Sequence, residues 1–125
     1  MHIEILHVPG CPNLGLARSR LSSALHRTGV TASVREIVVA DPTTAEQRGM
    51  HGSPTITIDG RDPFDRDTAP GSLSCRLYWT EGRLDGAPGT AQLIDAIAGA
   101  QCRGGLLRRA HRREQGEAGV EGRDD

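Results

Sequence analysis

The sequence predicts an α/β domain: a four-stranded mixed sheet with helices on both faces, in the order β-α-β-α-β-β-α. Three observations lead there. Short apolar runs alternate with segments of helical spacing over residues 2–58. The links between them are short, which favours a parallel start to the sheet, and right-handed crossovers then place helices on both faces. Finally, Asp59-Gly60 follows the third apolar run and marks a turn that would send the fourth strand back antiparallel as a hairpin.

Each element has its own signal. Residues 2–8 carry Ile3, Ile5, Leu6 and Val8 and read as a buried strand, stopped by Pro9-Gly10. Asn13 is placed to cap a helix with Leu14, Ala17, Leu21, Ala24 and Leu25 at helical spacing, ended by Thr28-Gly29. Residues 32–40, with Val34, Ile37, Val38 and Val39, form the second strand. Two overlapping helix starts follow: Asp41 before Pro42, and Thr43 with Glu46 three residues on. Gly49 and Gly52 keep that helix short. Residues 53–58 alternate cleanly and form the third strand. Residues 74–80, with Cys75, Leu77, Tyr78 and Trp79, form the fourth, and Thr90 caps a last helix presenting Leu93, Ile94, Ile97 and Ala98.

At 125 residues the chain fits one domain, placed at residues 1–102. Residues 103–125, basic and then acidic and Gly-rich, are expected to be a disordered or loosely helical tail. Aromatic residues make up only 2%, so the core falls to Leu, Ile, Val and Ala. A formal net charge of −1 argues against a nucleic-acid partner. All 15 basic residues are Arg, which excludes lysine nucleophiles. With no basic N-terminal region and no run of the roughly 20 apolar residues that span a bilayer, no signal peptide or membrane partner is expected, and the location is expected to be cytoplasmic. The oligomeric state is not set by the sequence.

The chemistry centres on Cys11. It falls just past the first strand and at the start of the first helix, the sheet edge that functional sites in open α/β folds favour. Free N–H groups at a helix start stabilise an anion, and Pro12 removes a donor the helix can spare. The opposing reading is an inert, buried thiol. Cys75 also has two readings: a structural cysteine, or a second thiol for Cys11. A tight hairpin would place it at the far end of the sheet, about 15 Å away over a five-residue strand, whereas the long 61–74 connection could fold back. Cys102 is read as incidental. His51 is either a surface residue or a base near Cys11, and His7 is given no role. Asp62, Asp65 and Asp67 lack the spacing of a calcium loop. Arg76 would bind an anion or face solvent. No metal site or cofactor is expected.

Gly10-Cys11-Pro12-Asn13-Leu14 and Gly52-Ser53-Pro54-Thr55, on this order of elements, resemble the active-site edge of the thioredoxin-like superfamily over residues 2–100. The resemblance implies a cis Ser53-Pro54 bond beside Cys11. It also implies substrate binding by Pro12, Asn13, Ser53, Pro54 and Thr55, with the backbone at Ser53-Pro54 pairing with an extended peptide or glutathione. With Asp62-Pro63-Phe64 and Ser74-Cys75-Arg76-Leu77-Tyr78, the motifs resemble a group of small bacterial thioredoxin-like proteins, some of them labelled alkylmercury lyase. One departure bears on function. Leu14 stands where the dithiol motif has its second cysteine, and no acid follows Cys11 within the motif, as the lyases have. The expectation is therefore a monothiol protein that uses Cys11 as nucleophile toward a thiol or disulfide substrate such as glutathione. The alternatives are lyase-like or soft-metal chemistry through Cys11 and Cys75, and a non-catalytic binding module.

Overall fold

The computed structural model describes residues 1–64 and 71–114, the last of these (104–114) as backbone alone. In chain order the elements are β1 (His2–His7), α1 (Leu14–Thr28), β2 (Ser33–Val38), α2 (Pro42–Arg48), β3 (His51–Ser53), β4 (Thr55–Ile58), β5 (Ser72–Cys75), β6 (Tyr78–Thr80), β7 (Arg83–Asp85) and α3 (Thr90–Glu114). The fold is α/β with a mixed sheet.

β1 is the centre of a three-stranded sheet, parallel to β2 and antiparallel to β4. Successive side chains of a strand point to opposite faces, so Ile3 and Ile5 go one way and Leu6 the other. On the first face Ile3, Ile5, Ile56 and Ile58 pack against Ala17, Leu21 and Ala24 of α1 and Leu93 and Ile97 of α3. On the second, Leu6, Val39 and Met50 pack against Ala45 of α2. Helices thus cover both faces, and each fully buried Ile or Leu contributes about 1.5–3 kcal/mol.

One helix start differs from expectation and the other follows one of its two signals. Asn13 makes no capping hydrogen bond, so α1 begins uncapped at Leu14; it ends as expected on Gly29, with a left-handed φ of 71°. α2 is capped by Asp41, whose Oδ1 accepts the Thr44 N–H at 2.8 Å. Glu46 does not complete a capping box with Thr43. It reaches across to accept the Gly71 N–H at 2.7 Å.

The expected four-stranded sheet and its hairpin are replaced. The Asp59-Gly60 turn does form, with both residues at positive φ (51° and 83°) and Ile58 bridged to Arg61. Pairing then stops, because Asp62 turns toward Arg76 and Pro63 has no N–H to donate. The third run is split at Pro54 into β3 and β4. The fourth is split at Arg76-Leu77 into β5, which lies parallel to β3, and β6, which pairs antiparallel with β7. Gly71 makes the β5 path passable. A Cβ there would lie 2.5 Å from the Glu46 nitrogen, so only glycine lets the chain pass this close to α2.

α3 continues through residue 103 to Glu114, so residues 103–114 of the expected tail are helical; residues 115–125 lie outside the described set. Among the described residues no helix is long and apolar enough to cross a membrane.

Candidate thiol site

Cys11 follows β1 in the irregular stretch before α1, half-buried, with its N–H donated to Val8 O at 3.2 Å. Its carbonyl accepts the Leu14 N–H at 3.4 Å. Leu14 packs against the α1–α3 core cluster, so the position where a dithiol motif has its second cysteine is spent on packing. Pro12 is exposed.

Ser53-Pro54 is cis, and it borders the Cys11 segment: the Val8 N–H donates to Ser53 Oγ at 3.1 Å. The residues expected to bind substrate here are already engaged. Ser53, Pro54 and Thr55 are buried. The Ser53 carbonyl accepts the Arg76 N–H at 3.0 Å, and Thr55 Oγ1 donates to Gly52 O at 2.6 Å. The Pro54 carbonyl accepts the Tyr78 hydroxyl. The strand edge expected to hold an extended peptide is thus filled by the chain's own β5, in register Ser53 to Cys75.

That register decides the position of Cys75. It is exposed rather than buried, and β5 carries it to the Ser53 edge rather than to the far end of the sheet. Its Sγ lies 3.9 Å from Asn13 Nδ2, a donor two residues from Cys11. The Asn13 amide is also crowded by Gly86, where an added Cβ would come within 2.5 Å of it. This explains why Asn13 does not cap α1: its side chain turns away from the helix, toward Cys75 and Gly86. Cys102 is exposed on α3, outside this cluster.

A buried polar network supports the edge from behind. Arg76 is turned inward and does not face solvent. Its Nη1 donates to Asp62 Oδ2 at 2.6 Å and to Thr55 Oγ1 at 3.2 Å, and its Nη2 donates to Phe64 O at 3.0 Å. The guanidinium carbon sits 4.6 Å over the Tyr78 ring, and Phe64 meets that ring edge-on at 5.7 Å. Burial pushes the Tyr78 phenol well above the ordinary tyrosine value. The Arg76 charge opposes this, and the Asp62 charge adds to the rise. Composition carried a hint of this network, since two of the chain's three aromatic residues take part.

The remaining candidates lie as follows. His51 is half-buried on β3, paired in register with Ser72. His7 is buried, its Nδ1 3.1 Å from Val8 O. Asp62 is committed to Arg76, while Asp65 and Asp67 lie outside the described residues. Among the described residues no three His, Cys, Asp or Glu side chains gather to hold a metal ion. A cleft of about 560 Å³ opens between α3 and the 58–64 segment, lined by Ile58, Arg61, Phe64, Asp95 and Arg103 among others, and contains none of the thiols. Compared with protein-family models, curated proteins and solved structures, the chain gives no match.

Proposed function

We propose that this chain is a thioredoxin-like protein that carries out thiol–disulfide exchange at Cys11, acting on small disulfides such as oxidised glutathione. The observation that carries the reading is the gathering of Cys11, Asn13, Cys75 and the cis Ser53-Pro54 segment at one end of the sheet. The parallel β1–β2 pair around α1, the antiparallel β4 beginning after Pro54, and helices on both faces agree with it. So does the placing of a half-buried Cys11 in the stretch between β1 and α1, with Asn13, two residues on, meeting Cys75. Because β5 occupies the strand edge, the reading favours a compact disulfide that reaches Cys11 past exposed Pro12 over an extended peptide.

In the reaction the Cys11 thiolate attacks one sulfur of the disulfide. A Cys11 mixed disulfide forms, the substrate S–S bond breaks, and the other half leaves as a thiolate that takes up a proton. Limited iodoacetamide labelling followed by peptide mass spectrometry tests the site. Cys11, although less exposed than Cys102, is expected to label at least about tenfold faster. Equal rates at Cys11 and Cys102 would contradict the reading.

A further inference from the structure

Building on exchange at Cys11, we infer that Cys75 is the thiol that resolves the Cys11 mixed disulfide, delivered from a separate strand and not from the same motif. Four observations meet here. Leu14 is committed to the core, so the usual motif offers no second thiol. β5 lies in the strand position beside Ser53, and its register places Cys75 opposite Ser53. Ser53 in turn is tied through its hydroxyl to Val8, whose carbonyl holds the Cys11 N–H. The Cys75 sulfur touches Asn13, two residues from Cys11. The chain thus places its own cysteine where the exchange reading would seat a substrate strand. Cys75 is exposed, so its sulfur is open to attack a mixed disulfide, and that sulfur already meets the Asn13 side chain.

The segment carrying Cys11 lies outside regular structure, tied by the Cys11 N–H to Val8 O and by the Leu14 N–H to Cys11 O, and open space surrounds Gly10 beside it. Closure requires the Asn13 amide to withdraw from the Cys75 sulfur as the two cysteine Cα atoms come within roughly 7 Å. The Cys75 thiolate then attacks the Cys11 sulfur of the mixed disulfide. A Cys11–Cys75 bond forms, the bond to the substrate half breaks, and that half leaves as a thiolate and is protonated. In sum the protein dithiol loses two electrons and two protons, and one small disulfide becomes two thiols.

The test uses the full chain, reduced, exposed to oxidised glutathione, quenched in acid and read by intact mass and peptide mapping. Wild type is expected to lose two hydrogens as a Cys11–Cys75 disulfide and to show little lasting adduct. Cys75→Ser is expected to hold one glutathione on Cys11, with an adduct lifetime at least about tenfold longer than in wild type. Cys75→Ala serves as a second variant and is expected to behave like Cys75→Ser. If wild type keeps its adduct on Cys11 as long as both Cys75 variants do, Cys75 is not the resolving thiol, while exchange at Cys11 stands. If the Cys75 variants acquire no adduct on Cys11, the exchange reading itself fails.

Discussion

The Arg76 guanidinium meets the Asp62 carboxylate at 2.6 Å, with the two side chains only 11% and 7% exposed. The pair joins the segment after the Asp59-Gly60 turn to the residue between β5 and β6, and so holds the Cys75 strand in place. Losing one partner strands the other charge out of water, which costs about 3–5 kcal/mol. Asp62→Ala and Arg76→Ala are each expected to lose about that much in urea unfolding. The double variant Asp62→Leu with Arg76→Met is expected to lose less than the sum of the single changes, since no charge is then left unpaired. Strictly additive losses would count against a coupled pair.

Tyr78 is the chain's single tyrosine, so its titration can be read without interference. Burial holds the phenol neutral well above its ordinary value. The sign follows from linkage. The stabilisation is fully present below the unfolded value of about 10 and is lost as pH rises above it toward the raised folded value. Phenolate absorbance should therefore appear later in the native protein than in urea. Native stability should fall above about pH 10, and Tyr78→Phe should flatten that fall. Coincident titrations in the two states would show that the ring is not buried.

Gly52 sits at φ 137° with a neighbour directly over it: a Cβ would lie 2.6 Å from Arg76 Cβ and 3.2 Å from the Ser74 carbonyl oxygen. Both the dihedral and the contact oppose a side chain there. Gly52→Ala is expected to cost about 2–4 kcal/mol and to make Cys75 more readily labelled as β5 loosens from β3. Gly60→Ala, also at positive φ but with open space around it, is expected to cost only about 1 kcal/mol.

Asp41 contributes to the acid side of the profile, along with Glu36 and Asp85. Hydrogen bonds from the Thr44 backbone and side chain hold its carboxyl below the ordinary aspartate range. Such a group contributes stability above about pH 4 and loses it as pH falls through the lowered folded value. Asp41→Ala should lower Tm at neutral pH and shrink its drop below about pH 4. An unchanged acid slope would remove Asp41 from this role.

Local chemistry made the first half of the chain readable. The strand at residues 2–8, the helix ended by Thr28-Gly29 and the Asp41-Pro42 helix start emerge as β1, α1 and α2 because each depends on neighbours in sequence. The position of Cys11 between a strand and a helix was legible for the same reason, since a strand end and a helix start are local features. The second half depends on distant partners. Nothing near Cys75 announces that β5 pairs with β3, because that register rests on Gly71 passing α2 and on Arg76 folding inward to Asp62. Asn13 misled for a related reason: a good capping residue was drawn off by a sulfur 62 positions away.

The central claim is that Cys11 performs the exchange. The most direct measurement is glutathione-coupled reduction of a small disulfide by wild type, Cys11→Ser and Cys102→Ser. Wild type is expected to turn over, Cys102→Ser to retain full activity, and Cys11→Ser to lose at least about a hundredfold, since a serine hydroxyl does not replace the thiolate. Turnover by Cys11→Ser at the wild-type rate would contradict the claim.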